Sequence, residues 1–320
     1  MSVMIEGRQL FMAGRHSSVA DVVWNALGGW VGALLWRALV MRLLSPTPWA
    51  VLLPAGFVSS LLIIGGLLLT PSHTDGEYVG LWPPSRGASG RYSGQVVRAS
   101  LSGQPFPYGK LPDGPPHKTW FEDDWELRGE VIAGRPPRRV SSVLSVYDKM
   151  GREILLLGAH RADLVYRERT RGEVLRFDSP DIRLLDGLTG VEVGDTISVT
   201  AGRDRELCLG INDTKQCGLG VTPGRTWGLL LYLEGPYEAY RRVLDFFWLV
   251  LLFCPVGFWA VGRRGWGWGI GMSLSGSSIA VAATPLILPG PLELVAVFVG
   301  LVSGSAAAEL VRGLMPGVDA

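Results

Sequence analysis

Histidine, cysteine and charge are all scarce in this chain. Its 320 residues include four His and three Cys, and only 18% are Asp, Glu, Lys or Arg, against about 25% in an average globular protein. His16, His73, His117 and His160 are scattered without the spacing of metal ligands. The net charge of +1 supplies no basic field, which excludes a nucleic-acid partner. The glycines between Gly265 and Gly271 follow no strand pattern, so they make no dinucleotide loop. With no nucleophile–base set evident either, the chain is expected to be non-catalytic, with no cofactor and no metal.

The charge that is present sits in the middle. Of 30 basic and 29 acidic residues, 21 and 22 fall between Ser72 and Pro236. The two flanking blocks are apolar, and the pattern of each predicts membrane helices. Residues 21–44 are interrupted only by Asn25, Arg37 and Arg42, and residues 49–70 carry no charge at all. Toward the C-terminus, residues 243–262 are bracketed by Arg241–Arg242 and Arg263–Arg264, as snorkelling ends would be. Residues 266–288 are rich in Gly, Ser and Ala, and residues 292–311 complete the set. The expected fold class is therefore a membrane α-helical bundle of about five transmembrane helices with an inserted extracytoplasmic all-β sandwich. The expected domains are a membrane block over 1–71, a Gly/Pro/Ser-rich linker over 72–119, the sandwich over 120–236, and a second membrane block over 237–320.

Small residues four apart let helices approach closely in lipid. Gly28 with Gly32, and the run Gly300, Gly304, Ala308, are the candidates for helix packing, within the chain or against a partner. Asn25 is the intramembrane polar candidate, as an interhelical hydrogen-bond donor. Eight of the twelve Trp lie in the apolar blocks, where interfacial anchoring accounts for most of them. No His lies in any expected span, so a haem or chlorin would lack its usual ligand.

In the middle, short β-patterned runs follow one another at the spacing of an all-β fold. They include residues 95–101, 125–132, 140–147, 163–167, 173–177, 207–211, 216–219 and 227–233. The sharpest local signal is Cys208 to Cys217. A two-residue turn at Asn212–Asp213, both tolerant of positive φ, pairs Ile211 with Thr214, Gly210 with Lys215, Leu209 with Gln216, and Cys208 with Cys217. The last pair is a non-hydrogen-bonded one, within disulfide range. A disulfide persists outside the cytoplasm, so the middle domain is expected to face the periplasm or exterior, on a multi-pass protein expected in the bacterial cytoplasmic membrane. The basic residues alone are nearly balanced between the two sides, five against four.

The segment from Gly14 to Gly32, through Asp21, Asn25 and Gly28, resembles a helix of VanZ-like bacterial membrane proteins, one branch of which is linked to glycopeptide-antibiotic tolerance. The run from Arg152 to Gly158, Asp163 to Arg167, and Cys208…Cys217-Gly218-Leu219-Gly220 is similar to the laminin-G or concanavalin-A-like sandwich that some of those proteins carry.

The cluster Glu122-Asp123-Asp124-Trp125-Glu126 could hold paired glycosidase carboxylates or Ca²⁺, but on an alternating strand it reads as a solvated edge. Two functions remain. The first is an accessory subunit whose helices pack in the lipid bilayer against other integral membrane proteins, with the sandwich docked on their outer face; a photosynthetic reaction-centre or antenna complex is one setting for such a pigment-free subunit. The alternative is a membrane-anchored, lectin-like protein binding envelope glycan. Trp120, Trp125, Trp227, Tyr147 and Tyr166 sit on or beside apolar runs, so these aromatics are expected in the core and not in a sugar site.

Overall fold

The computed structural model describes residues 50–72, 77–82, 90–111, 124–175, 177–204, 206–230, 240–260 and 262–314. Between residues 77 and 230 the described residues form a two-sheet sandwich, and the four described helices gather at one end of it. The first helix is α1 (Leu52–Leu68). The strands are β1 (Tyr78–Leu81), β2 (Gly90–Arg91), β3 (Gln95–Leu101), β4 (Gln104–Pro105), β5 (Gly109–Lys110), β6 (Trp125–Ile132), β7 (Ser141–Asp148), β8 (Glu153–His160), β9 (Asp163–Glu168), β10 (Ile182–Leu184), β11 (Thr196–Arg203), β12 (Leu207–Ile211) and β13 (Thr214–Leu219). Then come α2 (Arg241–Trp259), α3 (Gly262–Ala283) and α4 (Pro291–Leu314).

One sheet runs β13-β12-β11-β6-β3-β4 and is antiparallel throughout. The other runs β10-β9-β8-β7-β1-β5, with the short β2 parallel to β7. β6 shows why they stack: Trp125, Leu127 and Val131 are buried, while Glu126, Arg128 and Glu130 between them face out. Against this face pack Leu144 and Val146 of β7, Leu155 and Leu157 of β8, and Tyr166 of β9. The Trp125 and Tyr166 rings stack with centroids 5.9 Å apart.

The hairpin forms in the register read from its turn, with Ile211 opposite Thr214, Gly210 opposite Lys215 and Leu209 opposite Gln216. Asn212 takes a φ of 52°. Cys208 and Cys217 are joined, with Cα atoms 4.0 Å apart; an irregularity in the ladder follows between Leu207 and Leu209.

Three expectations are corrected. Within the stretch 72–119, expected as a linker, the described residues supply β1 to β5 and bury Tyr78, Val96, Leu101, Phe106 and Leu111 in the sandwich core. Some of its glycines sit at turns that demand positive φ, such as Gly103 at 78°. Residues 173–177 and 227–233 were expected as strands, but Arg171–Leu175 and Pro223–Leu229 are 3₁₀ turns. Pro223 opens the second turn and cannot donate to a sheet, and a five-residue alternation is too short to separate strand from turn.

The third correction is to the fold class. A five-span helical bundle is not the architecture: the sandwich is the larger unit, with helices at its end. Among the described residues only α2 and α4 are long and apolar enough to cross a membrane. α1 has 17 residues, about 26 Å of helix and short of a bilayer core. α3 is long, but Gly and Ser dilute its apolar character. The expected span at 21–44, with Asn25, Gly28 and Gly32, lies outside the described residues.

The helices pack in parallel pairs. A methyl at Gly300 would press on the Val250 carbonyl and Phe253, and one at Gly304 would overlap the Cys254 carbonyl oxygen, so α4 runs alongside α2 in the same direction. Ala308 is buried on the same helix. Gly276 lies against Ser59, Gly66 against Thr284, and Gly269 against Val51, so α3 runs in the same direction as α1.

Candidate functional site

The sandwich and the helices meet at a junction tied in three places. At the end of α1, Arg171 donates its N–H to the Thr70 carbonyl and Ser72 donates to the Arg169 carbonyl, both at 2.9 Å, around a bridge between Pro71 and Thr170. After β13, Val221 forms a parallel bridge with Leu286 in the α3–α4 connection, and the Ile287 N–H donates to the Val221 carbonyl at 3.0 Å. The third tie is the turn Pro223–Leu229. Trp227 Nε1 donates to Asp245 Oδ1 of α2 at 2.7 Å, Trp248 Nε1 donates to Thr226 Oγ1 at 3.1 Å, and Thr222 Oγ1 donates to Glu293 of α4. Arg225 lies 3.7 Å from Asp245. Gly224 sits close beneath the Glu293 carboxylate, which a Cβ there would displace.

Between the first two ties opens a cleft of about 590 Å³. Leu69, Leu207, Val221 and Leu286 line it and are buried. Ile182, Leu219, Ile287 and Leu288 also line it, and Leu288 is 75% exposed. Its charged wall holds Glu168 and Arg203, paired at 3.0 Å, together with exposed Glu206. An apolar cleft with a few convergent polar groups is the usual form of a small-ligand site.

Each of the four described helices carries exposed large apolar side chains. Exposed large side chains include Phe57 and Ile64 on α1, Phe247 and Leu251 on α2, Leu274 and Ile279 on α3, and Leu294, Phe298 and Leu310 on α4. Phe57 and Phe298 are each 64% exposed and Leu251 70%. A patch of this kind and extent marks an interaction surface.

The two outer faces of the sandwich differ. On the six-stranded sheet a groove of about 860 Å³ is lined by Arg98, Ser100, Arg128, Glu130, Ser198 and Asn212, among others. The register places Arg98–Glu130–Ser198 on one rung and Ser100–Arg128–Thr200–Gly210 on the next. Small side chains floor this groove and charged ones wall it. Glu126 of the acidic cluster faces the same side and pairs with Arg128 at 3.1 Å.

The outer face of the other sheet carries a chain of polar contacts. Tyr147 Oη donates to Glu153 at 3.2 Å, Glu153 faces Arg167 at 3.6 Å, and Arg167 pairs with Asp181 at 2.7 Å. Asp181 pairs in turn with Arg183 at 2.9 Å, which donates to His160 Nδ1 at 2.7 Å. His160 Nε2 then donates to the Arg138 carbonyl at 3.1 Å, the neutral tautomer that satisfies both contacts. Burial first, then the charge of Glu153, pushes the Tyr147 phenol up to about 12. This chain clasps β8, β9 and β10, and its acid–base groups are spent on one another.

Of the residues singled out from sequence, Cys208 and Cys217 are joined, and Gly300, Gly304 and Ala308 lie on α4, the glycines against α2. Trp125, Tyr147 and Tyr166 are buried; Trp120 lies outside the described residues. Sequence reasoning missed the junction cleft, whose walls come from six separate stretches of chain, and the polar groove, which strand register alone would reveal. Among the described residues no three His, Cys, Asp or Glu side chains are grouped to hold a metal ion.

Fold and junction define a class, a two-sheet β-sandwich seated on an apolar helical base. No protein family, curated protein or solved structure matches the chain.

Proposed function

We propose that this protein is a non-catalytic, membrane-anchored accessory subunit. Its helical base lies in the bilayer, with α2 and α4 crossing in one direction and α3 returning between them, and its sandwich stands on the extracytoplasmic side. Other integral membrane proteins are its partners. The observation that carries this reading is the outward apolar surface of the helical base, joined through three ties to a disulfide-bearing domain. The ties make base and sandwich one platform, so a partner can be held at both levels, and two linked contacts raise the effective concentration of each other. The test is alkaline washing of native membranes, then mild detergent and size-exclusion chromatography. The protein should resist the wash and elute in one discrete complex with integral membrane proteins. Release by the wash overturns the anchor, and a monomeric profile overturns the subunit role.

A second reading has one observation in its favour, the polar groove on the six-stranded sheet. Arg98, Arg128, Glu130 and Asn212 supply donors and acceptors suited to sugar hydroxyls, on the kind of sandwich that the laminin-G-like resemblance implies. Saturable binding of full-length protein to a glycan array, lost in Arg128→Ala, together with a monomeric profile, would establish this lectin-like role in place of the first.

A further inference from the structure

We propose that the junction cleft is a binding site for a zwitterionic phospholipid, with the chemistry of phosphatidylethanolamine. The inference rests on the membrane anchor proposed above.

Three features converge on this ligand. The cleft wall is apolar where it meets the helices, through Leu69, Val221, Leu286 and Ile287, and this suits the upper part of an acyl chain. Its volume of about 590 Å³ falls in the range of small-molecule sites. Its charged wall carries one guanidinium and two carboxylates, and this pattern selects the headgroup. Arg203 uses one N–H of Nη2 on Glu168, and its remaining guanidinium N–H groups supply the charge-assisted donors that take a phosphate oxygen. Glu206 is exposed at the same wall and accepts an N–H from the ammonium. A headgroup with net negative charge would face two carboxylates with one cation. A trimethylated ammonium has no N–H to give Glu206. Only a headgroup that pairs phosphate with a protonated amine satisfies both sides.

Place agrees with chemistry. The cleft lies where the sandwich-side ends of α1 and α3 meet the sandwich, beside the outward apolar side chains of the base. A lipid standing there would have its chain along the base and its headgroup under the sandwich. It would act as a wedge that seats one on the other.

The test uses full-length protein in vesicles of phosphatidylethanolamine and phosphatidylglycerol, with a trace of phosphatidylethanolamine carrying a photoactivatable group high on one acyl chain. After flotation and illumination, the labelled peptides are mapped. Label should concentrate at residues 218–221 and 284–288 relative to the outward faces of α1 and α2. Glu206→Gln should lower that local labelling about fivefold, the loss of one charge-assisted hydrogen bond partly compensated by water. Leu288→Trp, which fills the mouth of the cleft at an exposed position, should lower it as well. Flotation should be unchanged in both variants. Protein that floats but labels evenly along its helices overturns the lipid site and leaves the anchor standing. Equal labelling with a photoactivatable phosphatidylglycerol overturns the headgroup assignment. Protein that does not float overturns anchor and lipid site together.

Discussion

At Asp148 two effects oppose each other. Burial disfavours the carboxylate, but it accepts N–H groups from Met150 and Arg152 at 2.9 Å and Arg152 Nε at 2.7 Å. These contacts win, and the carboxyl is held below its usual range. A depressed folded pKa means stability that is present above the ordinary carboxylate range and lost as pH falls through the folded value. Asp148→Asn should therefore cost roughly 1.5–3 kcal/mol near neutral pH, and the deficit should shrink in acid when melting temperatures are compared. Glu153 behaves in the opposite way. Burial raises its carboxyl first of all, against the pull of Arg167 and Tyr147. Its raised value makes the folded state less stable as pH climbs through it, so Glu153→Gln should gain on the parent protein between acid and neutral pH. The disulfide belongs to this scale too. Peptide mapping without reductant should recover Cys208 linked to Cys217, with Cys254 free to alkylate after unfolding, and replacing both linked cysteines by Ser should cost about 2–3 kcal/mol. This bridge was legible because its two ends lie in one hairpin and can be counted from the turn. The chain from Tyr147 to His160 was not, because its members are gathered from four strands and a loop.

Among the elements, the strands with the clearest alternation were legible to the residue: β3, β6 and β12 have the bounds their pattern implied. The other strands of the Gly- and Pro-rich stretch were hidden, since two-residue pieces such as β4 and β5 carry no period of their own and exist only because β3 and β1 pair with them. The helix glycines also divide in a way that spacing could not foretell. Gly265 and Gly269 face neighbours, whereas Gly267 and Gly271, at the same spacing, face open space. Gly304→Ala should thus force α4 away from α2 and cost roughly 1–3 kcal/mol as overpacking, while Gly271→Ala should be tolerated or mildly stabilising through helix propensity. Thermal unfolding in detergent checks both, and equal effects would remove the close approach of α2 and α4 as a determinant of stability.

For the whole molecule, the division into a charged middle and apolar flanks was already visible in where Asp, Glu, Lys and Arg fall. The count of spans was not, because a stretch poor in charge but rich in Gly and Ser passes for membrane until its hydropathy is weighed. Nor was the order of strands, since β7 pairs with β1 from more than 50 residues upstream. The parallel helix pairs carry a further consequence, which concerns time. α1 closes on α3, and α3 emerges from the ribosome about 200 residues after α1. At a synthesis rate of about 5–20 residues per second, that interval is about 10–40 s. For all of it the small-residue seam of α1 has no mate, while the sandwich between them has time to fold. The nascent chain must therefore shelter α1, and the last third of the protein completes a helix pair that its first quarter began.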